Sequence, residues 1–216
     1  LNQNDPVIWQ NKGDALKNRG NHTEALLCYD KALEFNSKNH ILWSKKSDIL
    51  KYLEKYEEAM ECCDEILKIM PDDYLAWNYK GIICHNQGKY EEAINYYDRA
   101  LSLNQNDYTL WQNKGDALRH EWRYEEALKC YDRVLSINPD YYLAWHNKGV
   151  IFHKQENYRD ALKYYDRALE LNEKDYIIWQ NKGDVLSKLG KYDEALLCYD
   201  KVLELDKNYY LAWNDR

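Results

Sequence analysis

Four histidines, His85, His120, His146 and His153, gather in the middle of the chain, and six cysteines are spread along it at positions 28, 62, 63, 84, 130 and 198. Imidazole and thiolate are the usual ligands of transition metals and the usual partners in nucleophilic catalysis. Their spacing argues against both uses. His146 and His153 lie two helical turns apart, about 10 Å, too far to share a metal unaided. Cys28, Cys62, Cys130 and Cys198 recur at intervals of 34 or 68 residues, so no CxxC spacing exists, and they read as reduced thiols. The vicinal pair Cys62-Cys63 reads as helix packing. Gly-rich phosphate loops, a GxGxxG turn and a Ser-His-Asp grouping are missing too. No catalytic residue, metal or cofactor is expected. A second chemistry is better supplied. Amide side chains, each offering a donor and an acceptor, follow successive tryptophans, as a surface that grips a peptide backbone without reading its sequence would require.

The elements that position those amides are written as a repeat. Trp111-Gln112-Asn113-Lys114-Gly115-Asp116 stands also at Trp9 to Asp14 and at Trp179 to Asp184, and variants sit at Trp43, Trp77, Trp145 and Trp213. Seven of the eight tryptophans therefore fall at steps of 34 residues, which signals stacked units that bury their apolar faces only against neighbours. Six units are expected over 6–39, 40–73, 74–107, 108–141, 142–175 and 176–209, with a partial seventh over 210–216. The run Leu1 to Asp5 duplicates Leu103 to Asp107, so the chain is expected to be a fragment of a longer array.

Within the first unit, apolar residues at three- and four-residue steps predict helix A over roughly Val7 to Arg19 and helix B over roughly Thr23 to Phe35, separated by Gly20. Helix B opens with acidic pairs such as Glu57-Glu58 and Glu91-Glu92, which complement the helix dipole and read as capping. Ser47 replaces the glycine at which helix B comes close, predicting a slightly wider pair. Glu54 stands where a turn glycine is expected, at a cost of about 1 kcal/mol for positive φ. Trp122 occupies the same turn in the fourth unit and is expected to fold over its own unit, with an exposed contact as the alternative.

Trp9, Gly13, Leu16, Ala25, Tyr29 and Ala32, with closing prolines at Pro71 and Pro139, resemble the tetratricopeptide repeat in six consecutive units. The resemblance implies an all-α, right-handed superhelical solenoid of antiparallel helix pairs, with helix A lining a concave groove that holds an extended or helical peptide. One departure is constant. A family leucine is replaced by Lys12, Lys46, Lys80, Lys114, Lys148 and Lys182, whose stems are expected to cover apolar surface while the ammonium reaches water.

The groove-facing positions after each Trp read Gln10, Ser44, Asn78, Gln112, His146 and Gln180, then Asn11, Lys45, Tyr79, Asn113, Asn147 and Asn181. Some family members, including protein-glycosylating transferases, use an asparagine ladder here, and resemblance makes Asn11, Asn113, Asn147 and Asn181 the rungs. Asparagine as a mere repeat habit is the other reading. Further along, Asp14, Asp48, Ile82, Asp116, Val150 and Asp184 alternate polar and apolar from the second unit on, with His85 after Ile82 and His153 after Val150. Two apolar pockets for one extended ligand, or duplication of a two-unit segment without ligand meaning, both account for it. Asp48 with Lys51, and Asp116 with Arg119, are spaced to neutralise each other partly. The carboxylate clamp of chaperone-binding members is absent: no Lys or Arg follows the Trp, and the clamp asparagine is never present.

The formal charge of -7 is a poor footprint for nucleic acid or anionic lipid, and no long apolar run exists. The expected function is a cytoplasmic, non-catalytic protein-protein interaction scaffold that binds a peptide or partner protein in its groove. The alternatives are a regulatory or substrate-presenting segment of a larger enzyme, and an array joined head to tail through its terminal repeats.

Overall fold

Five of the six units start where a short polar side chain can satisfy a helix's first free N–H groups, repeat 5 with Tyr141 being the exception. Asp5, Asn39, Asp73, Asp107 and Asp175 are N-caps whose side chains accept from the second helical N–H. The computed structural model describes residues 5–205, which form twelve α-helices and no strand. They are paired as α1 (Pro6–Asn18) with α2 (His22–Phe35), α3 (His40–Tyr52) with α4 (Tyr56–Ile69), and α5 (Tyr74–Asn86) with α6 (Tyr90–Leu103). These pairs belong to a first compact unit, Leu1–Gln105. The second, Asn106–Arg216, holds α7 (Tyr108–His120) with α8 (Tyr124–Ile137), α9 (Tyr142–Lys154) with α10 (Tyr158–Leu171), and α11 (Tyr176–Lys188) with α12 (Tyr192–Leu205). Trp213, Asp215 and the start of a seventh repeat lie outside the described residues, as does the Leu1 to Asn4 part of the duplicated tail.

The two helices of a pair touch through a glycine and a tyrosine. A Cβ added to Gly81 would stand 2.4 Å from Cε1 of Tyr97, and one added to Gly149 would stand 2.6 Å from the ring of Tyr165. The tyrosines are the largest side chains in the core: Tyr29, Tyr97, Tyr131 and Tyr165 are fully buried. Repeat 2 solves the same contact with different residues. Ser47 is buried, its hydroxyl donates to the Ala59 carbonyl at 3.2 Å, and Cys63 in place of tyrosine leaves the room it needs. Burial pushes the Cys63 thiol up to about 11 and the Cys62 thiol up to about 12, so both are protonated packing groups at neutral pH.

Tryptophans flank this core. Trp9 and Trp43 pack against one cluster built on Tyr29, Leu33, Leu42 and Ile49, and Trp145 and Trp179 against another built on Tyr165, Leu169, Ile178 and Val185. Indole N–H groups also tie down the loop that precedes helix A in repeats 2, 3, 5 and 6. Trp43 donates to Ser37 O at 2.8 Å, Trp145 to Pro139 O at 2.9 Å and Trp179 to Glu173 O at 2.8 Å.

In repeats 2, 3, 5 and 6 the lysine that replaces the family leucine does not send its ammonium into bulk water. It crosses to the preceding repeat: Lys46 meets Asp30 at 2.6 Å, Lys80 meets Asp64 at 2.6 Å, Lys182 meets Asp166 at 2.7 Å, and Lys148 meets Asp132. The ammonium also lies over its own tryptophan, with Nζ 5.7 Å from the Trp77 ring centre for Lys80. Lys80 and Lys148 are each only 8 % exposed. The expectation was corrected by a carboxylate sixteen residues earlier, on the far side of a repeat boundary.

Turns between the paired helices need one left-handed residue, which lets the following N–H reach back to the helix's last carbonyls. Gly20, Gly88 and Gly190 supply it, and Glu54 (φ 57°), Trp122 (φ 61°) and Glu156 (φ 59°) do so without being glycine. The left-handed turn aims Trp122 outward. It is 72 % exposed, touching Tyr124 at 6.0 Å between ring centres, so the expectation that it folds over its own unit is replaced by the exposed alternative.

Candidate functional site

In the first unit the helix A residues assigned to the groove are tied from one repeat to the next. Asp14 accepts from the buried Tyr29 hydroxyl at 2.7 Å and from Lys45 of the next repeat at 2.6 Å. Burial alone would raise the Asp14 carboxyl, but Lys45 and Tyr29 outweigh it and hold the group below its usual value. Asp48 pairs with Lys17 of the preceding repeat at 3.2 Å and with Lys51 at 3.6 Å. Burial and the neighbouring Asp48 carboxylate push the Tyr79 hydroxyl to about 12, and Lys51 rests 5.1 Å from the Tyr79 ring centre. Gln10 is half-buried and Asn11 exposed on α1, while Asn78 is buried.

The second unit repeats the scheme with amides. Asn147 donates to Asp116 at 2.8 Å, and Asp116 also receives the Tyr131 hydroxyl at 2.7 Å and Gln112 at 3.1 Å. Asn181 Nδ2 lies 2.8 Å from His146 Nε2, which accepts from it. Burial lowers His146 to about 4, so its ring is neutral at physiological pH and can accept. Asp184 receives the Tyr199 hydroxyl at 2.9 Å. Two of the proposed ladder rungs, Asn147 and Asn181, therefore hold adjacent repeats together, each with its remaining hydrogen-bonding capacity still to offer. Asn113 and Gln180 are half-buried on the same helix faces.

The alternating positions separate by chemistry. In repeats 1, 4 and 6 the Asp accepts from the tyrosine hydroxyl of its own repeat, whereas Asp48 of repeat 2, where Cys63 replaces the tyrosine, pairs with Lys17 and Lys51. Val150 instead packs on the core cluster around Tyr165, whose buried hydroxyl has no hydrogen-bond partner among the described residues. His153 sits edge-on to Tyr158 at 6.0 Å and His85 edge-on to Tyr90 at 5.1 Å, both against the start of helix B. Ile82 is half-buried beside them in sequence.

A recess opens beside the groove positions of the first unit. Between the N-terminal halves of α3 and α5 lies a cavity of about 450 Å³. Ser44 and Tyr79, both groove positions, line it together with His40, Ile41, Met70 and Leu75. Ile41 and Leu75 are about half exposed. Periodicity marks Ser44 and Tyr79 but gives no reason to choose this repeat boundary over the others. Ser44, which lines the cavity, is the smallest side chain at a repeat position that carries Gln, Asn or His elsewhere. Among the described residues no helix is long and apolar enough to cross a membrane.

Comparison with known proteins points one way. A family model described as "Tetratricopeptide repeat" matches residues 6–39, 74–107, 142–175 and 176–209, and a second, "TPR repeat", matches 115–156. A model of the protein prenyltransferase alpha subunit repeat matches residues 56–87. Among curated proteins no match to the sequence is found. Solved structures with the same fold include PilW, a type IV pilus biogenesis factor, at 20 % identity and TM-score 0.81, covering 94 % of each chain. MamA from Desulfovibrio magneticus RS-1 aligns at 22 % identity and TM-score 0.70 over 78 % of this chain and 96 % of its own. YrrB, described as a TPR protein with an unusual peptide-binding site, aligns at 26 % identity and TM-score 0.64 over 82 % and 91 %.

Proposed function

Because the chain belongs to the tetratricopeptide repeat family, we propose that it is a non-catalytic interaction scaffold whose helix A faces bind a peptide segment of a partner protein. The observation that carries this reading is the recess between α3 and α5, with buried Ile66 and Ala76 as its apolar floor, half-exposed Ile41, Met70 and Leu75 around them, and polar groups at Ser44, Tyr79, His40, Asp72 and Asp73. A few placed polar groups over an apolar floor is what a site needs to orient a backbone while burying a side chain. YrrB, similar in fold and described as peptide-binding, supports the same use. Within each unit further helix A residues extend the reading: Gln10 and Asn11 offer amides and Ile82 an apolar contact in the first, and Asn113, Gln180 and Asn181 offer amides and Val150 an apolar contact in the second. Six free, buried cysteines favour a reducing compartment such as the cytoplasm.

The test is selection of binding peptides from a random library, followed by calorimetry against Leu75→Glu and Ile41→Glu. Both side chains are exposed, so the fold tolerates the change. A loss of tenfold or more in affinity is expected for both, and unchanged affinity in both refutes the site.

A further inference from the structure

On the flank where helix B turns its outer face past its own tryptophan, repeats 1 and 6 carry the same cavity at the same repeat positions. In repeat 1 it holds about 260 Å³ beside Trp9, Leu27 and Cys28, and in repeat 6 about 430 Å³ beside Trp179, Leu197 and Cys198. The leucines are 60 % and 67 % exposed, while the cysteines at the base are buried. Nothing in the groove reading uses these residues.

The chain itself shows what fits there. In repeats 3 and 5 the cysteine position is tyrosine. Tyr96 stacks on Trp77 with ring centres 6.0 Å apart and planes 24° apart, and Tyr164 stacks on Trp145 at 6.0 Å and 26°. The lysine over the tryptophan also serves the phenol ring, with Lys80 Nζ 5.0 Å from Tyr96 and Lys148 Nζ 4.8 Å from Tyr164. Replacing that tyrosine by Cys28 and Cys198 removes a phenol ring and keeps the indole and the lysine that framed it: Lys12 stands 5.3 Å from Trp9, where Lys31 of helix B adds a second cation at 4.4 Å, and Lys182 stands 5.3 Å from Trp179, with Lys201 also lining the cavity. Repeats 2 and 4 also carry cysteine, at Cys62 and Cys130, but the apolar wall becomes Glu61 and Lys129. Only repeats 1 and 6 combine the missing ring with a leucine wall.

We infer that the cavities over Trp9 and Trp179 are slots for an exposed tyrosine side chain of a partner polypeptide, which takes the place that Tyr96 and Tyr164 fill from within. The occupant is an aromatic ring rather than an aliphatic one because the floor is an indole face and the rim a cation, a pairing whose attraction depends on a π system. Exposed apolar patches of this kind are characteristic of contact surfaces.

The test uses the whole chain labelled with ¹⁵N, N-acetyl-tyrosinamide as probe, and the indole N–H resonances as readout. The resonances of Trp9 and Trp179 should move on titration, and those of Trp77 and Trp145, already covered, should stay within error. Cys28→Tyr and Cys198→Tyr place the chain's own ring in each slot and should abolish the response at the substituted repeat. Leu27→Glu and Leu197→Glu, copying Glu61 of repeat 2, form a second pair at exposed positions and should weaken it at least fivefold. Equal movement of all four resonances, an undiminished response in both pairs of variants, or an equal response to N-acetyl-leucinamide would overturn the assignment. So would movement of the same two resonances on concentrating the protein without probe, which would give the slots to a second copy.

Discussion

Removing one oxygen from Tyr131 and one from Tyr165 should change stability in opposite directions. Both rings are fully buried at the same repeat position. The Tyr131 hydroxyl donates to Asp116 at 2.7 Å, whereas Tyr165 faces Val150 and its hydroxyl finds no acceptor among the described residues. A hydrogen bond to a charged group contributes about 1.5 to 3 kcal/mol. Asp116 keeps Asn147 and Gln112 as donors, so Tyr131→Phe should cost about 1.5 kcal/mol, the low end of that range. An unsatisfied buried hydroxyl costs about 1 to 3 kcal/mol, and Tyr165→Phe removes that cost without opening a cavity, so it should stabilise by about 1 kcal/mol. The two variants should differ by roughly 2.5 kcal/mol, which for a chain of this size separates their melting midpoints by about 5 to 10 °C. Thermal unfolding followed by circular dichroism, with hydrogen exchange to locate the change in repeat 4 or repeat 5, reads it directly. If Tyr165→Phe destabilises as much as Tyr131→Phe, the account of the alternating Asp and Val positions is wrong.

Other consequences follow from the same contacts. Gly81→Ala drives a Cβ to 2.4 Å from the Tyr97 ring and should cost about 1 to 3 kcal/mol as overpacking; Gly81→Ser with Tyr97→Cys, the solution found in repeat 2, should recover part of it in a urea-unfolding double-mutant cycle. His146 is neutral in the folded chain down to about pH 4, while the unfolded ring protonates near 6.5. Unfolded chains therefore take up a proton that folded chains refuse, so stability should be full above pH 6.5, fall by about 3 kcal/mol between 6.5 and 4, and not fall further from this group below 4. Burial lowers His153 in the same direction. His146→Gln should remove one proton from that slope, and an unchanged slope would show that another group carries it. Glu54→Gly and Glu156→Gly each relieve a left-handed backbone that costs about 1 kcal/mol, and together they should raise the urea midpoint.

Local patterns were legible and cross-repeat partners were not. The 34-residue step, the two amphipathic helices and the close glycine are each a property of one unit, and a single unit's periodicity contains them; the acidic pairs that open helix B stand in its first turn, while the carboxylates that accept cap hydrogen bonds are Asp5, Asp73, Asp107 and Asp175 before helix A. In the first unit the expected helices, roughly Val7 to Arg19 and Thr23 to Phe35, differ from Pro6–Asn18 and His22–Phe35 by one residue at each end that moved. By contrast, the Lys80–Asp64 pair joins residues in different units, and nothing in helix periodicity fixes how one unit sits on the next. The same gap hid the role of Asn147: its position on helix A was readable, but its reach back to Asp116 was not. Trp122 was misjudged for a different reason. Its direction is set by one backbone dihedral, and the residue type at a left-handed turn says only that strain is present.

Those cross-repeat bonds limit what the groove can read. A ligand that seeks Asp14 or Asp116 must compete with Lys45 or Asn147, each already within hydrogen-bonding distance, and exchanging one good partner for another gains little free energy. The clasps therefore fix the spacing of the helix A faces more than they recognise anything. Discrimination falls to places where a small residue stands at a clasping or groove position and leaves space, as Ser44 does between α3 and α5. By this reasoning, enlarging that residue should affect a ligand more than removing a charge beside it. Ser44→Gln, which restores the side chain found in repeats 1, 4 and 6, should weaken a groove-bound peptide more than Asp14→Asn does, and calorimetry with one library-selected peptide on both variants ranks the two.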